Sequence, residues 1–117
     1  MAQSSCLFCR IVRGEIPSKK AYEDDQVFAF HDINPQAPTH ILIVPKEHLA
    51  TVNDFKAAHK DLIGEMVMAA ARIAAQEGIA ERGYRLVFNC NAEAGQVVFH
   101  VHLHLLGGWG SRASMDM

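Results

Sequence analysis

Three histidines alternate with apolar residues in Val98-Phe-His100-Val-His102-Leu-His104-Leu-Leu106. Alternate side chains of an extended chain share a face. The spacing therefore predicts His100, His102 and His104 on one face of a strand, with Phe99, Val101, Leu103 and Leu105 on the other. A lone histidine in a strand is ordinarily the polar residue of a half-exposed surface. Three at strict alternation cost β-propensity and add no packing, so the pattern points to chemistry. Two chemistries fit. Imidazole is a common metal ligand, and it can act as a nucleophile in phosphoryl transfer. Positions i and i+2 lie about 6.5 Å apart along a strand, so the rings can converge on one phosphate or divide two tasks. Asn89, Gly95 and Gln96 form a polar, glycine-containing entry to the strand, where backbone N–H groups can approach an anion closely. There is no Walker-type loop and no carboxylate cage for Mg²⁺, which leaves imidazolium and backbone dipoles to stabilise phosphoryl charge.

Cys6-Leu-Phe-Cys9 has the two-residue spacing of a zinc knuckle. A redox pair is disfavoured, because no strand precedes it and no βαβ unit surrounds it. Two small core residues on a short helix are the competing reading. Cys90, near a strand end, reads as structural. His31 reads as a partner for local backbone, and His59 as the solvated start of a helix.

The elements that must position these residues follow from periodicity and turn chemistry. Residues 4–13 read as one or two helical turns. Two short β-prone runs, 21–23 and 27–30, flank Asp24-Asp25-Gln26 and read as a hairpin. Residues 32–38 form a Pro-marked loop, and 40–44 a buried strand closed by Pro45. Residues 61–77 carry apolar residues at helical spacing, stopped at Gly78. Strands follow at 84–88 and 97–106, with a loop between them and a loose tail over 109–117. Helices and strands are segregated, which indicates an α+β fold with a mainly antiparallel sheet.

The chain has 117 residues, half of them apolar and 21% charged, with a formal charge of −2. That length fits one domain, 1–117, with a core at about 6–108. The charge argues against a nucleic-acid module. Three cysteines are too few for a disulfide scaffold and suit a reducing compartment. The first residues lack a signal pattern, and no apolar stretch approaches the ~20 residues of a membrane span. The expectation is a soluble cytoplasmic protein with no nucleic-acid or membrane partner.

His100-Val-His102-Leu-His104-Leu-Leu resembles the signature of the histidine triad (HIT) family. Asp32-Ile33, Pro35-Gln-Ala-Pro38-Thr-His40, Pro45-Lys-Glu-His48 and Gly95-Gln96 are similar to its Hint branch, the purine nucleoside phosphoramidases. The resemblance implies a five-stranded antiparallel sheet with helices on one side (a short N-terminal helix and one long helix) and a homodimer with a continuous sheet. It implies hydrolysis of the P–N bond of purine nucleoside 5′-phosphoramidates such as AMP-NH₂ and AMP-lysine, with aminoacyl adenylates as related substrates. His102 would be the nucleophile and form a nucleotidyl-histidine, oriented by the backbone carbonyl of His100. His104 would contact the α-phosphate and His40 would support the site. Asp32 would hold the ribose hydroxyls, while Ile33, Phe8 and Ile11 line the base pocket. Asn89, Gly95, Gln96 and Val97 would lie near phosphate and ribose. Val97 stands where many Hint members carry serine, and Trp109 follows Gly107-Gly108 where arginine is frequent. No organic cofactor is implied. A structural zinc on Cys6, Cys9, His48 and His100 is, because some relatives with this Cys-x-x-Cys use that set. Rival readings are a dinucleoside polyphosphate hydrolase, a noncatalytic nucleotide-binding regulator, and a hydrolase using the triad as metal ligands.

Overall fold

The computed structural model describes residues 5–110. Helix α1 is Leu7–Val12 and is followed by strands β1 (Lys20–Glu23), β2 (Val27–His31) and β3 (Thr39–Pro45). Helix α2 (Lys60–Gln76) comes next, then β4 (Tyr84–Phe88) and β5 (Leu103–Gly107). The strands form one sheet in the order β1-β2-β3-β5-β4, every neighbouring pair antiparallel. The expected α+β architecture with five strands and two helices is present. No helix of the described residues is long and apolar enough to cross a membrane. The tail expected over 109–117 lies outside the described residues from 111 onward, as does the first residue of the expected N-terminal turn.

The β1–β2 hairpin closes as its turn residues predict. Asp24 Oδ1 accepts from the backbone N–H groups of Gln26 and Val27 at 2.8 and 2.9 Å, a side-chain mimic of a backbone turn.

β3 is the central organiser. Its residues are buried on both faces, and a strand buried on both faces must be covered twice. Ile41 and Ile43 pack with Leu62, Met66, Ala70 and Ile73 of α2. Leu42 and Val44 point the other way and pack with Phe28, Phe30, Phe8 and Ile11. The two helices therefore cover opposite faces of the sheet, a correction to the expectation that both lie on one side. The cause is Phe8 and Ile11, which make α1 amphipathic enough to serve as the second cover.

The last strand also departs from expectation. Pairing begins at Leu103, not Val97. Residues 97–102 run off the ladder and are tied to the segment after β3 instead. The Val101 N–H donates to the Leu49 carbonyl at 2.6 Å. The Gln96 amide donates to Ala50 and Val98 carbonyls at 2.8 and 3.1 Å. Phe99, expected on the packed face, is 44% exposed. Short 3-10 helices stand at Val52–Asp54, Ala57–His59 and Ala92–Ala94. The first is started by Thr51 and Asp54, which cap each other's backbone N–H.

Two glycines test the packing in opposite directions. A Cβ at Gly107 in β5 would stand 2.7 Å from Ile79 Cδ1 and 3.3 Å from Tyr84 Cβ, whereas one at Gly64 in α2 meets nothing within 4 Å. Gly107→Ala should lower unfolding free energy by about 1–3 kcal/mol through overpacking. Gly64→Ala should raise it by about 0.5–1 kcal/mol through helix propensity. Urea denaturation of both variants checks the pair.

Candidate active site

The off-ladder path of residues 97–102 gives each triad histidine its own environment. His100 is fully buried. Its Nε2–H donates to the Pro45 carbonyl at 2.8 Å, so Nδ1 carries the lone pair. His102 Nδ1–H donates to the His100 carbonyl at 2.8 Å, so its lone pair is on Nε2. The His102 ring meets the Phe8 ring edge-on, with centroids 5.1 Å apart and planes at 88°. His104 lies on β5 opposite Leu42 of β3, and its Nδ1 is 2.9 Å from His40 Nε2.

Backbone geometry fixes that last pair as well. The Gln36 N–H donates to His40 Nδ1 at 3.0 Å, which places the His40 proton on Nε2. His40 then donates to His104 Nδ1, and His104 is left with its proton on Nε2. A neutral imidazole is donor at one nitrogen and acceptor at the other. His102 therefore offers a lone pair from Nε2, and His104 offers an N–H from Nε2.

These assignments require neutral rings, and burial keeps them neutral. Desolvation first, then the neighbouring His102 and His40, push His104 down to about 4. Burial likewise pushes His100 down to about 4 and lowers His102 and His40, with Asp32 opposing the shift at both. Burial thus favours the neutral form of His40, His100, His102 and His104 in the folded chain.

His102 and His104 face a cavity of about 470 Å³, within the range of small-ligand sites. Phe8, Ile11, Ile33, Asp32 and His40 border it, as do Asn89, Gly95 and Val97. Asp32 Oδ1 accepts from the Asn34 N–H at 2.8 Å, and Oδ2 lies 3.6 Å from His40 Nε2. Val97 is 85% exposed and sits at the rim.

Gln96 differs from expectation and does not border the cavity. It is 4% exposed, and its Oε1 accepts from the Asn91 N–H at 2.7 Å while its amide nitrogen holds Ala50 and Val98. Its work is to shape the loop ahead of His100. His31 does border the cavity, beyond the local role expected for it. His59 accepts from the Lys56 N–H at 2.9 Å and lies 3.4 Å from Glu47. Leu7, Ile16, Phe30, Leu42 and Val98 are further cavity residues that sequence reasoning missed. Leu42 and Phe30 had a signal: Leu42 is two residues from His40 on the same strand face, and Phe30 pairs with Leu42 in the ladder.

Cys6, Cys9, His48 and His100 form a second constellation, behind the cavity. Their ligand atoms all lie within 4.8 Å of one another. His48 Nδ1 and His100 Nδ1 are 3.2 Å apart, and three N···S distances are 3.3–3.4 Å. Tetrahedral zinc sets such edges at about 3.4 Å between nitrogens and about 3.6 Å between nitrogen and sulfur. The lone pair of His100 points at the cluster because its other nitrogen is held by Pro45, the arrangement that orients a ligating histidine. The donor set fits zinc.

The chain matches the model of the family described as HIT domain over residues 13–110. It is 58% identical over 102 residues to the purine nucleoside phosphoramidase of Escherichia coli K12, covering 87% of this chain and 86% of that one. The crystal structure of a HIT family hydrolase from Legionella pneumophila superimposes with a TM-score of 0.87 at 53% identity, over 89% of this chain and 93% of the other. A histidine triad protein from Clostridium difficile gives a TM-score of 0.94 at 40% identity over the full length of both. The chain belongs to the HIT domain family and is one of its hydrolases.

Proposed function

We propose that this hydrolase cleaves the P–N bond of purine nucleoside 5′-phosphoramidates, AMP-NH₂ and AMP-lysine among them, and acts on related aminoacyl adenylates. The observation that carries the reading is the 2.8 Å bond from His102 Nδ1–H to the His100 carbonyl, which leaves Nε2 as a lone pair beside the cavity.

The steps follow from the groups present. His102 Nε2 attacks phosphorus and forms a P–N bond to the ring. The bond to the substrate amine breaks, and the amine takes a proton from water at the exposed Val97 rim. Water then displaces His102 from phosphorus and restores the neutral ring, releasing AMP and a proton. His104 Nε2–H donates to a phosphoryl oxygen throughout, oriented by His40. Asp32 accepts from the ribose hydroxyls. Ile33, Phe8 and Ile11 hold the purine, while Asn89 and the backbone at Gly95 flank ribose and phosphate.

Cys6, Cys9, His48 and His100 would hold a structural zinc. With four protein ligands it would cross-link α1 to the sheet, and the proposed reaction uses no organic cofactor. A second copy of the chain continues the sheet at β4, an edge strand of the described sheet, with Phe99 exposed for burial in a homodimer. The reducing cytoplasm suits the thiol ligands.

Wild type should turn over adenosine 5′-phosphoramidate with a chelator present and show an AMP adduct by mass spectrometry of quenched enzyme. His102→Ala should lose at least a thousandfold in kcat and form no adduct. Turnover that survives in His102→Ala would refute the nucleophile. Cys9→Ser should lower the thermal midpoint by several degrees and bind no zinc, with kcat changed less than tenfold at temperatures where the variant is folded. Loss of turnover in step with loss of zinc, in folded protein, would make the metal catalytic instead.

The neutral rings also set a pH dependence. His104 titrates near 4 in the folded chain and near 6.5 when unfolded, so the unfolded state binds more protons between these values. Stability should therefore fall as pH drops from 6.5 towards 4. In His104→Gln the urea midpoint should fall less steeply over that window.

A further inference from the structure

We propose that this site selects its ligand by charge, accepting a phosphoryl group with one negative charge and disfavouring the same group with two. The inference rests on the phosphoramidase reading and adds a rule for what the site excludes and releases.

Asp32 is the formally charged side chain among the described residues that border the cavity, and no lysine or arginine is among them. Its carboxylate stands 3.6 Å from His40 Nε2, which is 2.9 Å from His104 Nδ1. A phosphoryl group accepting from the far nitrogen of His104 therefore lies one imidazole away from a negative charge. The other titratable groups facing it are His31, His40, His102 and His104. Burial keeps His40 and His104 unprotonated at neutral pH. His102 turns a lone pair toward phosphorus, and His104 contributes one N–H. Such a site stabilises one anionic charge through dipoles and meets a second with repulsion.

The chemistry of the ligands makes this a switch. A phosphoramidate or an acyl phosphate keeps one ionisable oxygen, so the substrate is a monoanion at every working pH. Hydrolysis creates a phosphate monoester whose second pKa is about 6. The product therefore gains a second charge at neutral pH, across the His104 ring from Asp32, where physiological salt screens the pair only in part. At an effective dielectric between protein surface and water this weakens binding roughly tenfold. Product leaves for that reason, and di- and triphosphates are disfavoured on the same ground.

The test is calorimetric binding of AMP and of adenosine 5′-methyl phosphate, a permanent monoanion, to the full chain between pH 5.5 and 8. The methyl ester should bind with constant affinity. AMP should match it within a few-fold at pH 5.5 and fall about tenfold behind by pH 8. In Asp32→Asn the ratio of the two affinities at pH 8 should move toward one. That ratio is insensitive to the ribose contact, because both ligands carry the same ribose. AMP binding as tightly as the methyl ester at pH 8, an unchanged ratio in Asp32→Asn, or no binding of either ligand at millimolar concentration would overturn the proposal. Turnover of adenosine 5′-phosphoramidate by the same preparation separates the two readings. An active enzyme with a flat AMP profile refutes charge selection alone, and an inactive one with the pH-dependent profile refutes the phosphoramidase reading alone.

Discussion

The His100 carbonyl is the group on which the rest of the site depends. An imidazole can attack from one nitrogen only if its proton is held on the other, and here a backbone oxygen at 2.8 Å holds it. That oxygen is available because His100 is not paired in the sheet. Had the strand begun at Val97, the carbonyl of a paired residue would be shared with the ladder to β3 or β4. The early departure of residues 97–102, secured by Gln96 and the Leu49 carbonyl, is thus a condition of the chemistry. The buried amide of Gln96 shapes this loop without touching the cavity.

The same residue joins the site to the Cys/His cluster. The His100 side chain faces Cys6, Cys9 and His48, while its main chain orients His102. Phe8 lies between the two cysteines in sequence and packs edge-on against both His100 and His102. Movement of α1 would therefore disturb His102 from two sides, through the ring stack and through the cluster. Covering the histidine face of the sheet with α1 also explains why the rings are neutral: the cover that completes the apolar core excludes the water that would stabilise imidazolium.

Much of this was legible in the sequence, because periodicity reports on local geometry. The alternation of His100, His102 and His104, the helical spacing through α2, and the turn residues Asp24 to Gln26 each describe contacts a few residues apart. Strand β4 was placed at its observed bounds for that reason. What was not legible depends on distant partners. Nothing in Val98-Phe99 says that the ladder stops before Leu103, since that is decided by the segment at Leu49–Thr51. Gln96 looks like any polar loop residue until Asn91, Ala50 and Val98 surround it. The side of the sheet covered by α1 is set by Phe28, Phe30, Leu42 and Val44, which belong to other strands. His31 shares that difficulty, because a cavity is a property of several loops at once.

The strand order has a consequence for how the molecule comes into being. β5 follows every other strand in the chain, yet it inserts between β3 and β4. Until it emerges from the ribosome, β3 has an open edge, β4 has no partner in this sheet, and the apolar face of α2 lacks Leu103 and Leu105. A nascent chain therefore carries unpaired, hydrophobic strand edges for most of its synthesis, the condition in which chains associate wrongly or engage chaperones. The strand that ends this exposure carries His104 and directly follows His102. Completion of the sheet and the seating of His104 against His40 are thus a single event.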